Sequence, residues 1–503
     1  MIPLLTREAV RAIDADAIAR LRVSGLVLME NAGRGAFDAI CRKFPHALAR
    51  VAIVGGVGQN GGDAWVVARH LLLAGHAPRC VLIGDRSKVR GDALANLELL
   101  ERLGVHVAPV SELDALLREA TLIVDGLFGT GLDRPITGEA ADAIARMNAS
   151  ADSTARVCVA LDIPSGIDAD SGNVLGVAVR AALTITFAAH KRGLHQHPGA
   201  DHAGELSLVS IGVPAARATD GVIEARDVAS WLPPRAADTH KGRGGHVLIV
   251  AGAPGHTGAA LLSGLGALRA GAGLVTLCPR AGARAALDAK VIELMTADQP
   301  AELDAALRAI EQLMQSKQAA AIGPGLGVDD DAVALIRRLA IELDKPAVLD
   351  ADALSAFAGR LSELKHARGP RVLTPHPGEA ARLLSCATSD VQADRYGAAK
   401  RLAADSGCVA VLKGARTLVA SPDGSIRVCP LDVPALAVGG TGDVLSGVTA
   451  ALLSQLMAAD AAAAAVYLHA LAGELAARSD RGLFAREVAD ALPLALERCR
   501  QSH

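Results

Sequence analysis

The feature that most constrains this chain is one pattern repeated along it. A short apolar, β-branched run is followed by a glycine-rich loop and then by an alanine- and leucine-rich stretch of helical length. In the first half the apolar runs are residues 51–54, 80–83, 122–124 and 157–161, with 64–74 and 92–103 as helical stretches between them. Strands buried on both faces read as continuous apolar runs, and strands that alternate with helices pair in parallel. An α/β fold is therefore expected, with parallel sheets covered by helices on both faces. In such sheets ligands settle at the carboxyl ends of the strands, where these loops fall.

Ahead of the pattern, Thr6 is placed to cap a helix over residues 8–21, and Gly25 separates it from a second helix. The alternation pauses near residues 214–240. There Ser230-Trp231-Leu232-Pro233-Pro234-Arg235 carries two prolines, which suits a linker or a domain-entry segment. A new strand at 246–250 opens a second series, with others at 274–277, 347–349, 371–373 and 409–412. The two series show no close repeat. A chain of 503 residues also exceeds what one hydrophobic core usually holds. Two different α/β domains in tandem are expected, at 1–215 and 238–503, joined by a linker at 216–237.

Bulk composition narrows the partners. Lys and Arg total 51 against 54 Asp and Glu, a formal charge of −3, so neither nucleic acid nor an anionic membrane is expected as the main partner. The eight cysteines are scattered, with no pair two residues apart. Reduced buried thiols are the expectation, over a disulfide framework or a zinc site. The first residues lack a basic segment leading into an apolar core, and no apolar run reaches membrane-spanning length. A cytoplasmic location is expected.

Three loops of the first half carry chemistry. Val57-Gly58-Gln59-Asn60-Gly61-Gly62-Asp63-Ala64 follows a strand and opens a helix, so its backbone N–H groups can close on phosphate oxygens. A tight structural turn is the alternative reading. The others are Asp125-Gly126-Leu127-Phe128-Gly129-Thr130-Gly131-Leu132 and Asp162-Ile163-Pro164-Ser165-Gly166-Ile167-Asp168. Asn60, Asp125 and Ser165 offer hard oxygens for a cation. Against this, Asp125 and Asp162 could merely cap loops.

These motifs, with Thr184-Ile185-Thr186-Phe187 and Lys191-Arg192-Gly193-Leu194, resemble the NAD(P)H-hydrate epimerase family over about residues 5–215. The resemblance implies a Rossmann-like three-layer domain that binds K+ through Asn60, Asp125 and Ser165. It further implies that the hydrated dinucleotide is held by Gln59, Asn60, Gly61, Gly62 and Asp63, by Gly129, Thr130, Gly131, Leu132, Asp133, Arg134 and Pro135, and by Asp162. Exchanging the R and S epimers at the hydrated ring carbon needs a group that manages a proton. Asp162 is the candidate, with Lys191 either assisting it or standing as a solvated surface charge. The family usually reads Asn-Asn-Gly-Gly-Asp-Gly, where this chain has Gln59 and Ala64. Gln keeps the amide on a longer stem, and Ala64 forbids nothing in a residue that is already helical.

In the second half, Val438-Gly439-Gly440-Thr441-Gly442-Asp443-Val444-Leu445-Ser446-Gly447 places bare N–H donors at a helix start, where phosphate and developing negative charge would sit. Asp443 is positioned to take a proton from an attacking hydroxyl, or, on the plainer reading, to cap the helix. Gly323-Pro324-Gly325-Leu326-Gly327, Thr374-Pro375-His376-Pro377-Gly378-Glu379 and Lys413-Gly414-Ala415-Arg416-Thr417 each follow an apolar run. Lys413 could neutralise phosphate, and His376 sits in a stiff turn suited to ligand contact.

This set, with His240-Lys241-Gly242-Arg243-Gly244-Gly245 and Thr257-Gly258-Ala259-Ala260-Leu261, resembles the ADP-dependent NAD(P)H-hydrate dehydratases of the ribokinase-like fold, over about 238–497. The resemblance implies a three-layer domain in which Ala260, Gly325, His376 and Asp443 contact the hydrate. Lys413, Gly414, Ala415, Arg416, Thr417 and Gly442 would bind ADP, with Mg2+ bridging nucleotide oxygens. Taken together, the halves imply a bifunctional repair enzyme acting on NADHX and NADPHX and forming homo-oligomers. The rival reading is a ribokinase-like kinase of a vitamin or sugar alcohol, fused to a non-catalytic ligand-binding domain.

Overall fold

The computed structural model describes residues 1–152, 156–214, 218–238 and 240–501. The chain divides into two compact units, Ile2–Thr219 and Asp220–His503, the latter together with Met1. The boundary expected at 215/216 lies outside the described residues. Within the stretch expected as a linker, Ala225–Trp231 is a helix with Val228 and Ala229 buried.

In the first unit the described residues form a seven-stranded parallel sheet. Its order is Val107–Pro109, Arg79–Leu82, Val51–Gly55, Leu122–Gly126, Val157–Leu161, Leu183–Phe187 and Glu205–Val209. Alternate residues of the central strands enter different cores. Val51, Ile53, Leu122 and Val124 pack with the helices Gly25–Lys43, Gln59–Leu73 and Gly91–Arg102. Ala52, Val54 and Ile123 pack with Leu113–Glu119 and Glu139–Asp152. That alternation makes three layers. The first helix runs Arg7–Ala19, and Thr6 caps it by accepting from Ala9 N at 3.2 Å. The chain leaves Val51–Gly55 in one direction along the sheet and Leu122–Gly126 in the other. The loops after these two adjacent strands therefore flank a crevice at the switch point.

The second unit has the order Met295–Thr296, Leu274–Leu277, His246–Val250, Ala319–Ile322, Ala347–Leu349, Arg371–Leu373 and Val409–Leu412, all parallel. Leu418–Ala420 and Ile426–Val428 extend it antiparallel, and Gly221–Val222 pairs parallel beyond them. Val247, Ile249, Ala319, Ala321, Val348 and Val411 enter the core formed with the helices Thr257–Arg269, Thr441–Leu453, Ala458–Ala476 and Ala485–Gln501. Leu248, Val250, Ala320 and Ile322 alternate with them and are also fully buried, so both faces of the sheet are covered. The helix Thr441–Leu453 lies very close to Thr257–Arg269. A Cβ on Gly447 would stand 1.8 Å from the Ser263 carbonyl oxygen, so any side chain there would drive the two helices apart.

Among the described residues no helix is long and apolar enough to cross a membrane. All eight cysteines are free thiols, and six of them are buried.

Candidate active sites

In the first unit a cavity of about 640 Å³ opens at the switch point. It is lined by Gln59, Asn60 and Asp63 from the start of one helix, by Gly129, Thr130, Gly131, Leu132, Asp133 and Arg134 from the next loop, and by Asp162. Pockets of this size hold ligands of nucleotide dimensions. Gly61 and Gly62 are buried in the first helical turn behind Asn60. Pro135 is exposed and does not line the cavity. Ala64 is helical and fully buried, as its place in the motif permits.

Asp162 is the most constrained residue of this site. Its backbone is left-handed at φ +66°, with its N–H donating to the Ile185 carbonyl at 2.7 Å. One carboxylate oxygen accepts from Thr130 N at 2.7 Å and Thr130 Oγ1 at 2.5 Å, while the other meets Lys191 Nζ at 2.5 Å. Lys191 has no exposed side-chain surface, which excludes the solvated-charge reading. Its ammonium also donates to Thr186 Oγ1 at 2.8 Å and to the Phe187 carbonyl at 2.9 Å. Burial pushes the Asp162 carboxyl up, but the Lys191 charge and the bonds from Lys191 and Thr130 outweigh it and hold the group below its ordinary range.

Asp63 behaves in the opposite way. Burial, then the charges of Asp162 and Asp14, push it well above the carboxylate range. Asp14, from the first helix, also lines the cavity. It is raised by the low-dielectric wall first and by Asp162 second. The sequence reading did not single out Asp14; only its position on a helix beside the switch point could have suggested it.

The three residues expected to hold a cation are all buried. Asn60 Nδ2 donates to the Leu161 carbonyl at 3.2 Å, while its Oδ1 is buried without a hydrogen-bond partner. Asp125 accepts from Ser165 Oγ at 2.6 Å, Ser165 N at 2.9 Å and Leu127 N at 3.1 Å. Its carboxyl does pin the loops together, as the plainer reading has it. Burial still dominates these bonds and pushes it up to about 6. An orphaned amide oxygen and a buried carboxyl suit a hard monovalent cation.

In the second unit the helix Thr441–Leu453 begins at the Gly-rich loop, with Gly440 left-handed at its N-cap position. Thr441 anchors the turn by donating to the Leu436 and Val438 carbonyls, both at 3.0 Å, and buried His469 donates to the Thr441 carbonyl at 2.9 Å. Asp443 lies in the first turn of this helix, where an acidic side chain also suits the positive helix end. Burial first, then the Asp350 charge, raise its carboxyl to about 6, against the opposing pull of Lys413.

Lys413 stands close by: a Cβ on Gly442 would lie 3.5 Å from its Nζ. Lys413 Nζ donates to Asp350 Oδ1 at 2.9 Å and lies 3.8 Å from Glu379 Oε2. Burial pushes this ammonium down, but Asp350, Glu379 and Asp443 together hold it above its ordinary value. Asp350 stands in no glycine-rich motif, although it directly follows the strand Ala347–Leu349, as Asp162 follows Val157–Leu161. Glu379 closes the motif Thr374–Glu379.

The remaining expected residues are placed as follows. His376 caps the helix Pro377–Leu384, its Nδ1 accepting from Gly378 N at 3.0 Å, and its ring remains half exposed. Gly325 abuts His256 and Ala259. Ala260 has no exposed surface and backs Gly252, so it shapes the wall without reaching a ligand through surface of its own. In the loop 413–417, Arg395 binds the Leu412 and Lys413 carbonyls, Thr417 Oγ1 donates to the Gly414 carbonyl at 2.7 Å, and Arg416 pairs with Asp432 at 2.5 Å. Gly323 connects this site to the sheet. Its φ is +127°, and a Cβ there would meet the Asp350 carbonyl oxygen at 1.9 Å, so only glycine fits.

Comparison with known proteins agrees with both halves. A family model described as YjeF-related protein N-terminus matches residues 25–193, and one described as NAD(P)H-hydrate dehydratase matches 247–494. The bifunctional NAD(P)H-hydrate repair enzyme Nnr of Moorella thermoacetica is 40% identical, over 98% of this chain and 96% of that protein. The Coxiella burnetii protein of the same name is 37% identical, over 97% and 98%. A crystal structure of the ADP/ATP-dependent NAD(P)H-hydrate dehydratase of Bacillus subtilis, grown with ATP and Mg2+, aligns at TM-score 0.50 and 33% identity. It covers 56% of this chain and 99% of that one. A ribokinase-like superfamily protein of Enterococcus faecalis aligns at TM-score 0.50 and 25% identity, over 57% and 99%. The second unit thus has the ribokinase-like fold, and the chain as a whole belongs to the family of bifunctional NAD(P)H-hydrate repair enzymes.

Proposed function

We propose that the chain restores hydrated NADH and NADPH to working cofactor, interconverting the R and S hydrates in its first unit and dehydrating the S form with ADP in its second. The observation that carries the reading is Asp443. It lies at a Gly-rich helix start, near Lys413, with its carboxyl raised to about 6.

Hydroxide is a poor leaving group from the ring carbon. Asp443 takes the proton of the hydroxyl as its oxygen attacks the terminal phosphorus of ADP, and AMP departs. Lys413 and the helix N-terminus offset the negative charge that develops. The ring nitrogen then expels phosphate, and loss of a proton from the neighbouring carbon restores the dihydropyridine. Gly325 and His376 face the hydrate in this reading, and residues 413–417 with Gly442 hold the nucleotide. Mg2+ enters with ADP as part of the co-substrate. Among the described residues no three His, Cys, Asp or Glu side chains are grouped to hold a metal themselves.

In the first unit Asp162, kept ionised by Lys191, manages the proton while the ring carbon–oxygen bond opens and recloses on the other face. Asn60, Asp125 and Ser165 would hold K+, which supplies fixed positive charge that ties the three loops together. The free thiols suit a reducing compartment, and a cytoplasmic location and self-association are part of the same reading.

The test is recovery of the dihydronicotinamide absorbance from a mixture of hydrate epimers given ADP, Mg2+ and K+, with AMP measured alongside. Wild type should recover both epimers. Asp443→Ala should lose about 10²–10⁴ in rate. Asp162→Ala should stop near the S fraction once spontaneous epimerisation is subtracted. No recovery by wild type, with ATP instead consumed on a small alcohol, would favour the kinase reading.

A further inference from the structure

Lys413 presents a problem of geometry. A lysine side chain is a flexible stem that loses rotamer freedom when fixed, so an ammonium that must meet phosphate at one spot needs a partner to hold it there. The base of the loop is already secured. The Lys413 N–H donates to the Pro375 carbonyl at 2.9 Å, and Arg395 binds the Leu412 and Lys413 carbonyls at 3.3 and 3.4 Å. The tip is held elsewhere. Asp350 is 3% exposed and reaches two other elements at once. One carboxylate oxygen accepts from Lys413 Nζ at 2.9 Å, and the other accepts from Ser446 Oγ at 2.5 Å. Ser446 sits three residues beyond Asp443 on the same helix, one turn behind the proposed base. Glu379 lies 3.8 Å from the ammonium, too far to fix it alone.

We infer that Asp350 is a positioning residue of the dehydratase site: its carboxylate clamps the Lys413 ammonium to the start of the helix Thr441–Leu453, so that cation and base meet the incoming phosphates as one unit. This rests on the dehydratase reading above. The clamp has two consequences. It presets Lys413 for the nucleotide, and it places a negative charge facing Asp443. The other charged groups facing Asp443 are Lys413 from the neighbouring loop and Asp352 from the Asp350 loop, while Glu379, on the helix Pro377–Leu384, acts on Lys413 and Asp350.

The experiment is steady-state dehydration of the S hydrate by Asp350→Asn across pH, with ADP and hydrate varied separately, beside equilibrium titration of Mg·ADP. Asn leaves an oxygen for Lys413 but removes the charge. The KM for ADP should rise about tenfold while that for hydrate stays put. The acid limb of kcat should move about one pH unit lower, because the charge that disfavours ionised Asp443 is gone. Ser446→Ala cuts the second arm without touching the charge, and should leave the acid limb where it is. In a Lys413→Met background, Asp350→Asn should change the KM for ADP by less than about twofold, since its target is already lost.

An equal effect of Asp350→Asn on the KM for ADP in the presence and absence of Lys413, or an acid limb that Asp350→Asn does not move, would overturn the clamp. If Asp350→Asn does not fold, Asp350→Glu asks the same question, with the charge kept and the arm lengthened. It should raise the KM for ADP and spare the acid limb, and an unchanged KM would count against the inference. Wild type that binds Mg·ADP but forms no AMP refutes the dehydratase reading. The titration still reports whether Asp350 governs nucleotide binding, so the two failures are distinguishable.

Discussion

Both units set an aspartate near a buried or half-buried lysine, yet they hold the aspartate in opposite states. In the first unit Lys191 pairs directly with Asp162 at 2.5 Å, and the carboxyl is held below its ordinary range. In the second, Lys413 spends its closest bond on Asp350, and Asp443 is left raised to about 6. Residue types alone do not fix a carboxyl's basicity; the pairing does. The contrast suits the two chemistries. A hydroxyl attacking phosphorus profits from a base near neutrality, whereas the group that handles the proton in a reversible opening of a carbon–oxygen bond is here held as an anion at rest.

The largest expected effect comes from breaking the direct pair. Lys191 has no exposed surface and Asp162 only 14%, so Lys191→Met strands a buried carboxylate. Loss of one partner of a buried pair costs roughly 3–5 kcal/mol, read here as a drop in thermal stability of the first unit. The pH dependence of that gap carries its own sign. In the wild type the folded carboxyl is depressed, so the pair's contribution is complete above the unfolded value and fades as pH falls through the lower folded one. In the variant only the Thr130 bonds still oppose burial, so protonation relieves the strain. The gap between wild type and variant should therefore narrow from pH 7 to pH 5. A gap that widens over that interval would mean Asp162 is not the stranded group.

How far this contrast could be read in the sequence depends on the range of the interactions involved. Strands buried on both faces are continuous apolar runs, and Val157–Leu161, His246–Val250, Leu274–Leu277 and Val409–Leu412 are legible to the residue. Glu205–Val209 is half exposed, and Leu418–Ala420 and Ile426–Val428 are short antiparallel strands with no helical stretch between them, so the strand–helix alternation does not mark them. The site divides in the same way. Asp162 and Asp443 stand in glycine-rich motifs that announce themselves. Asp350 stands between Leu349 and Ala351 with no glycine beside it, 63 residues from Lys413 and 96 from Ser446, and only the fold brings the three together. Lys191 was visible as a motif residue, but its burial was not, because nothing local distinguishes a lysine facing a cavity from one facing water.

A second effect, about tenfold, separates the two activities by pH. A base acts as its carboxylate. With Asp443 at about 6, the ionised fraction drops roughly tenfold between pH 7 and pH 5, and dehydration should drop with it. Asp162 is depressed and stays ionised across that interval, so epimer exchange, followed by resolving the two hydrates without ADP, should change by less than about twofold. Parallel profiles for the two reactions would abolish the contrast on which the assignment of the two aspartates rests.

The smallest expected effect concerns the place where this chain departs from its family's motif. Gln59 is the first residue of the helix Gln59–Leu73, exposed at the lip of the cavity, while Asn60 behind it is buried. An exposed amide on a longer stem can reach the same ligand atoms at a modest cost in side-chain freedom, which is of order 1 kcal/mol at most. Gln59→Asn should therefore alter the KM for epimer exchange by no more than about fivefold and leave stability and dehydration alone. Asn60→Ala is the informative neighbour. It removes a buried oxygen that has no partner within the protein, so it should abolish any response of epimer exchange to K+ while Gln59→Asn preserves it. If Gln59→Asn shifted the K+ response instead, the amide at the lip rather than the buried one would be holding the cation, and the three-residue cation site would have to be redrawn around it.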